Sequence, residues 1–155
     1  DLLTGLPNNA AMISILTEHR EEGNQALLII EMAGMRMIAE ELGIKVARRV
    51  IVRAAALLRR AVKERDIVAR IGPDSFAVLL RDVARGKGAT VAVRIYDVLA
   101  QRLSPSGANI IDGLGLSIGL TLRASPMEDA ETLLARAHSA VGEARTLTAP
   151  RLAVV

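Results

Sequence analysis

Hydrophobic residues along the chain form separate runs with the spacing of strands and helices. The longest apolar stretch, Ala26 to Ile30, continues through Met32 and predicts a strand buried on both faces over 26–32. The segments Ile67 to Ile71 and Phe76 to Leu80 flank a Gly-Pro-Asp-Ser turn, which predicts a hairpin. Further strands are expected at residues 109–111, 116–122 and 151–155.

Helical spacing occupies the segments between these strands. Helices are predicted over 8–22, from after Gly34 to a break near Gly43, and over 44–62, 87–103 and 125–146. Asn8 is the expected N-cap of the first helix. The last helix is expected to begin at Ser125, because Ser125 and Glu128 match a capping box with Pro126 at the first helical position. Within 44–62 the arginines fall opposite the apolar positions and are interpreted as a solvated face: Arg49, Arg53 and Arg60.

The order of elements predicts one domain over residues 1–155. Helices alternate with strands and a hairpin, which favours an α/β (α+β) sandwich with helices over a mixed sheet. No internal repeat or linker is visible. Since the chain opens at Asp1 without a methionine, we expect it to be excised from a longer multidomain protein.

Composition limits the classes of function. Of the 155 residues 51% are hydrophobic and 24% charged, as in globular proteins. One Phe and one Tyr are too few for the stacking platforms of single-stranded nucleic-acid binders, and a net charge of +3 suits small anions such as nucleotides rather than a nucleic-acid polymer. The absence of cysteine excludes disulfides and thiolate metal sites.

Four separated segments carry a family resemblance. The chain opens Asp-Leu-Leu-Thr-Gly-Leu-Pro-Asn, its hairpin reads Gly-Pro-Asp-Ser-Phe over 72–76, residues 117–119 read Ser-Ile-Gly, and residues 133–145 follow a Leu-Leu-x-x-Ala helix pattern. In this order they resemble the GGDEF family of diguanylate cyclases over nearly the whole chain. The resemblance implies the ferredoxin-like palm of nucleotidyl cyclases, with a central, mostly antiparallel mixed sheet flanked by helices.

Active members join two GTP molecules into cyclic di-GMP across a dimer, with metal ions held by carboxylates. The resemblance places the metal ligands at Glu31 and Asp74, so that a bound nucleotide would bring Mg²⁺, and it implies no other cofactor. Two alternatives stay open. Glu31 is equally well explained as a strand-end residue that faces solvent or pairs with a neighbouring arginine, and Asp74 as an ordinary turn residue.

The signature lacks the groups that the chemistry needs. Ser75 stands where active members have the glutamate tied to metal binding and activation of the attacking hydroxyl, and a serine hydroxyl supplies neither an anionic ligand nor a base near neutral pH. Pro73 replaces the second glycine, which removes an N–H donor and adds a ring beside the ligand. We therefore expect no intact catalytic residue.

The resemblance also implies a vestigial nucleotide site. Its phosphate-binding turn falls on Gly34 and its neighbours, its two guanine-reading positions carry an alanine and an arginine, and its last helix carries an arginine in place of a phosphate-contacting lysine. The implied residues are Gly34, Met35, Arg36, Ala39, Arg48, Gly72 and Arg145. Gly34 is otherwise explained as a glycine at a strand-to-helix corner.

An inhibitory product site lies just before the signature in many active members. The equivalent residues are Lys63, Asp66 and Arg70, and the lysine lacks the two-pronged grip of an arginine. A solvated charge run before a strand is the alternative.

These inferences favour a non-catalytic regulatory module of bacterial cyclic di-GMP signalling. We expect a cytoplasmic domain in a parent protein that a membrane can anchor, partnered by a neighbouring sensor or EAL-type domain or by a second copy in a homodimer. Binding of GTP or cyclic di-GMP is expected to be weak or absent. The alternatives are a weakly active diguanylate cyclase and a nucleotide-binding sensor without turnover.

Overall fold

The computed structural model describes residues 1–103, 115–148 and 150–155. Within these ranges the elements follow in this order: α1 (Asn9–Glu18), β1 (Ala26–Ala33), α2 (Met35–Leu42), α3 (Ile44–Ala61), β2 (Ile67–Gly72), β3 (Ser75–Leu80), α4 (Lys87–Arg102), β4 (Gly115–Leu122), α5 (Ala130–Ala144) and β5 (Leu152–Val154). No helix in these ranges combines the length and the apolar character needed to cross a membrane.

The strands form one mixed sheet in the order β2-β3-β1-β4-β5. The β2–β3, β3–β1 and β1–β4 pairs are antiparallel, and β4–β5 is parallel. The mostly antiparallel mixed sheet predicted from the sequence is confirmed. The predicted edge strand at the end of the chain is also confirmed, as β5.

The central strand β1 explains the unbroken apolar run. Leu28 and Ile30 pack into a core with α2, α3 and α4, whereas Leu27 and Ile29 face the opposite layer with α1 and α5. Because both faces of β1 are covered, alternation with polar residues is lost. The sheet therefore lies between two helical layers.

Close packing of α5 on β4 depends on Gly119. A Cβ atom at this position would lie 2.2 Å from the backbone nitrogen of Val141. Any side chain there would force the helix away from the sheet. The Ser-Ile-Gly segment therefore has a packing role in this chain.

Helix boundaries differ from the prediction by more than two residues at two places. The first helix begins after Asn8, whose Oδ1 accepts from the Ala11 amide at 2.9 Å, as predicted, but it ends at Glu18 rather than Glu22. The last helix begins at Ala130 with Asp129 as its N-cap, so the predicted start at Ser125 is wrong.

Local hydrogen bonds explain why the capping box does not start a helix. The Ser125 hydroxyl accepts from the Met127 amide, and the Glu128 carboxylate accepts from the Ala124 amide and pairs with Arg136 at 2.8 Å. Residues 124–128 therefore form a separate hydrogen-bonded turn that precedes the helix. The strand expected at 109–111 lies outside the described residues.

Candidate nucleotide site

The two carboxylates implied as metal ligands lie at the same end of the sheet. Glu31 stands near the end of β1, opposite Ser75 on β3 and Ser117 on β4. The Asp74 carbonyl, in the turn between β2 and β3, accepts from the Met32 amide at 3.0 Å. This bond fixes the tip of the hairpin beside the end of β1, so the fold brings the two acidic residues together.

Arg145 occupies this carboxylate site. The residue follows α5 directly, and its guanidinium donates from Nε to Glu31 Oε2 at 2.7 Å and from Nη2 to Oε1 at 2.5 Å. Hydrogen bonding to Glu31, then its charge, raise the pKa of Arg145, and the charge of Asp74 adds to the effect. Arg145 thus binds Glu31 directly and is stabilised at longer range by the charge of Asp74. Of the two alternatives for Glu31, the structure shows pairing with an arginine.

With Glu31 held by Arg145, this arrangement does not offer both carboxylates to a divalent metal ion. Both oxygens of Glu31 are engaged by Arg145, which leaves Asp74 as the one carboxylate without that partner. In the described part of the chain no three Asp, Glu, His or Cys side chains cluster so that they could hold a metal ion. Mg²⁺ requires oxygen ligands in near-octahedral geometry, and a guanidinium offers only donors.

The signature hairpin is tight. Its strands are joined by Pro73 and Asp74, and Gly72 pairs directly with Ser75. A Cβ atom at Gly72 would lie 2.5 Å from the Ser75 hydroxyl oxygen, so a side chain at this position would require the Ser75 hydroxyl to rotate away. Ser75 faces the end of β1, and no anionic group extends from this position toward Glu31.

A cavity of about 660 Å³ adjoins the hairpin and gathers most positions implied for nucleotide binding. The predicted residues that line it are Met35, Arg36, Ala39, Arg48, Arg70, Pro73 and Asp74. Gly34 lies at the entrance to α2 with φ of 96°, a left-handed conformation that favours glycine, so the corner interpretation of this residue accounts for it. The Arg36 guanidinium is almost fully exposed and pairs with Glu40 at 3.0 Å.

Arg70 has a different place from the one implied by the resemblance. Its guanidinium binds the Asp1 carboxylate at 3.2 Å and donates to the Pro73 carbonyl at 2.7 Å. Asp1 also accepts from the amide and hydroxyl of Thr4. Arg70 therefore ties the opening turn of the chain to the signature hairpin, a role that sequence reasoning missed. The one available signal in the sequence was the opposite charge of the two side chains.

Lys63 and Asp66 lie apart from Arg70. They line a cavity of about 410 Å³ with Arg81 and Arg94, whereas Arg70 lines the 660 Å³ cavity. The Asp66 carboxylate accepts from the backbone amides of Lys63 and Arg81 at 2.9 and 3.0 Å. The structure thus does not bring the three residues of the implied inhibitory site together, and it gives Asp66 a turn-closing role.

Comparison with known proteins agrees with this architecture. Residues 1–149 match the family described as "Diguanylate cyclase, GGDEF domain". The chain is 36% identical over 149 residues to diguanylate cyclase TpbB of Pseudomonas aeruginosa, covering 90% of this chain and 33% of TpbB. The chain therefore spans about a third of the length of this relative.

Two solved structures show the same fold. The GGDEF domain of DgcB from Caulobacter crescentus, in complex with c-di-GMP, superposes with a TM-score of 0.85 at 22% identity, over 99% of this chain and 91% of that one. The S helix-GGDEF-EAL structure of Vibrio cholerae LapD, bound to c-di-GMP, has a TM-score of 0.81 at 19% identity, over 100% of this chain and 36% of that one. Since the family match spans residues 1–149, the chain belongs to the GGDEF family and is a domain of the diguanylate cyclase type, the class found in cyclic di-GMP signalling.

Proposed function

We propose that this domain is a non-catalytic regulatory module of cyclic di-GMP signalling. The observation that carries the proposal is the ion pair between Glu31 and Arg145, which engages both oxygens of the implied metal ligand. Condensation of two GTP molecules needs metal ions to screen the triphosphates. A domain whose Glu31 carboxylate is already paired with a guanidinium holds such ions poorly.

Three further positions support loss of turnover. Ser75 offers no anionic ligand beside Glu31, and Pro73 lacks the N–H that a glycine would present at the hairpin. Ala39 lines the cavity where the resemblance expects a side chain that reads guanine. Removing one element of a charge-stabilising site typically costs a factor of about 10² to 10³ in rate. Losses in the signature hairpin and in the cavity beside it therefore favour a role that does not depend on catalysis.

A regulatory role requires a partner. Related proteins carry this domain type beside an EAL domain, as in LapD. We propose that the full-length protein places this domain in the cytoplasm next to an EAL-type or sensor domain, whose activity it controls directly or through a homodimer.

The decisive experiment is incubation of the purified domain with GTP and Mg²⁺ or Mn²⁺, followed by chromatographic detection of cyclic di-GMP. The expected result is no product above the level given by Asp74→Asn and Glu31→Gln, two variants that each remove one carboxylate. Product from the wild-type chain that disappears in Asp74→Asn would show a working diguanylate cyclase and end the proposal.

A second candidate function is nucleotide sensing without turnover. The 660 Å³ cavity favours it, because the cavity holds Arg36, Arg48 and Arg70 against the single carboxylate of Asp74 and is large enough for a nucleotide. Calorimetric titration with GTP, ATP and cyclic di-GMP tests it. Heat that saturates with one of these ligands and is lost in Arg48→Ala supports sensing, and no heat at millimolar ligand excludes it.

A further inference from the structure

An arginine groove runs along the exposed side of α3, next to the 660 Å³ cavity beside the signature hairpin, which we call the nucleotide cavity. Five arginines line it, and its volume is about 580 Å³. Its apolar lining comes from Leu3, Val52, Ala56 and Leu57. The arginines of this groove are Arg48, Arg49, Arg53, Arg60 and Arg102.

The charge of the arginine groove is not compensated within the described part of the chain. Seven other arginines lie within 4.0 Å of a carboxylate oxygen, yet none of the five groove arginines does. Arg53 donates to the backbone carbonyl of Arg102, which positions one guanidinium without neutralising it. All lining residues named above are cationic or apolar, so an occupant must bring both negative charge and hydrophobic surface.

We infer that the arginine groove is a docking site for an acidic amphipathic helix of a partner polypeptide. Arg49 and Arg60 are eleven residues apart on α3, a separation of roughly 16 Å along the helix axis, or about three turns. A partner helix of that length would place Glu or Asp side chains against the arginines. Its apolar residues would cover Val52, whose side chain is 42% exposed, and Ala56.

Two other anionic partners fit these observations less well. Single-stranded nucleic acid binds by stacking bases on aromatic rings, but Phe76 is fully buried and Tyr96 does not line the groove. A membrane-surface helix inserts a broad apolar face into lipid, whereas the apolar face of α3 already packs in the protein core.

The arginine groove adjoins the nucleotide cavity, because Leu3 and Arg48 line both. A helix bound in the groove would therefore contact the same side chains as a ligand in the cavity. The inference stands whether or not GTP is turned over, since no residue of the carboxylate site lines the groove.

The test uses a fluorescein-labelled helical peptide of about 18 residues with Glu on one face and Leu on the other, and a matched peptide with Gln in place of Glu. Fluorescence anisotropy with the 155-residue chain measures binding. The expected result is saturable binding of the acidic peptide, at least about tenfold weaker binding of the Gln peptide, and a marked loss of affinity between about 50 and 300 mM NaCl.

Variants locate the binding site. The double variant Arg49→Glu with Arg60→Glu is expected to bind the acidic peptide about tenfold or more weakly than the wild-type chain. The double variant Arg49→Gln with Arg60→Gln is expected to lose less affinity. Arg20→Glu with Arg85→Glu makes the same charge change at exposed arginines outside the groove and is expected to leave affinity within about twofold.

Circular dichroism checks that each variant is folded. If the Arg→Glu variant is unfolded, the peptide affinity of the Arg→Gln variant is used to locate the site. No binding of the acidic peptide, equal binding of the Gln peptide, or equal loss in the control variant would overturn the inference. Tighter binding of a single-stranded RNA or of anionic lipid vesicles than of the peptide would also overturn it. Cyclic di-GMP formation is measured on the same variants, so that a change in peptide binding can be distinguished from a change in turnover.

Discussion

Replacing Arg145 with alanine is expected to open the carboxylate site to divalent cations. In the wild-type chain the guanidinium makes two hydrogen bonds to Glu31, at 2.7 and 2.5 Å. A metal ion must displace it before both carboxylates can bind. In Arg145→Ala the oxygens of Glu31 are released and one positive charge is removed beside Asp74.

The size of the effect follows from the exposure of the pair. Two unit charges about 4 Å apart attract by about 1 kcal/mol in water and about 4 kcal/mol near a protein surface. The Arg145 side chain is 56% exposed and that of Glu31 21%, so the attraction lies at the lower end, about 1 kcal/mol. Since 1.4 kcal/mol corresponds to tenfold in affinity, Mn²⁺ is expected to bind about five- to tenfold more tightly to Arg145→Ala.

Electron paramagnetic resonance of free Mn²⁺ during a titration measures this affinity directly. The double variant Arg145→Ala with Glu31→Gln should not show the increased Mn²⁺ affinity, because it removes the carboxylate that Arg145→Ala releases. Arg65→Ala is the matched control. It breaks another ion pair, that of Arg65 with Asp82 (3.2 Å), which lies outside the carboxylate site. Equal Mn²⁺ affinity in the wild-type chain and in Arg145→Ala would refute the reasoning, as would a gain that persists in the double variant.

Three further predictions concern stability. Gly119→Ala is expected to lower the free energy of unfolding by about 3 kcal/mol in urea titrations, because its methyl group would overlap Val141 in α5; no change would mean that the helix shifts freely. Asp129→Ala should lower the urea midpoint near neutral pH. Hydrogen bonds from Thr132 hold the pKa of Asp129 below its ordinary value, so its stabilisation is lost as the pH falls through that pKa, and wild type and variant should converge in acid. Arg70→Gln is expected to cost about 2 kcal/mol and to expose the opening turn to hydrogen exchange, whereas unchanged exchange would contradict its anchoring role.

The elements that sequence patterns predicted best are those fixed by nearby residues. The apolar run in β1 requires burial on both faces, and the turn at Pro73 and Asp74 between two apolar segments requires a hairpin. The start of α5 was missed because Ser125 and Asp129 are both acceptable N-caps. The choice between them depends on packing around the Glu128 side chain rather than on cap propensity.

The candidate site was predictable in its membership but not in its contacts. The resemblance identified Glu31, Asp74 and Arg145 as site residues. The ion pair between Glu31 and Arg145, however, joins residues 114 positions apart. The ion pair between Arg70 and Asp1 joins residues 69 positions apart. Side-chain pairs at such separations are set by how the strands and helices pack. Local spacing therefore identified the charged residues, and only the fold showed which of them neutralise one another.

The charges of the site link Ser75, at the position of the signature glutamate, to the contact between Glu31 and Arg145. A glutamate at position 75 would add a third carboxylate between Glu31 and the hairpin turn, and three like charges at one sheet end need a multivalent cation. With Ser75 in its place, two carboxylates remain, and a guanidinium already binds one of them, Glu31, and lies within the electrostatic influence of the other, Asp74. Restoring the glutamate alone would therefore leave Arg145 in competition with the metal ion for Glu31. If the domain is non-catalytic as proposed, turnover is expected to return only when positions 75 and 145 are both changed.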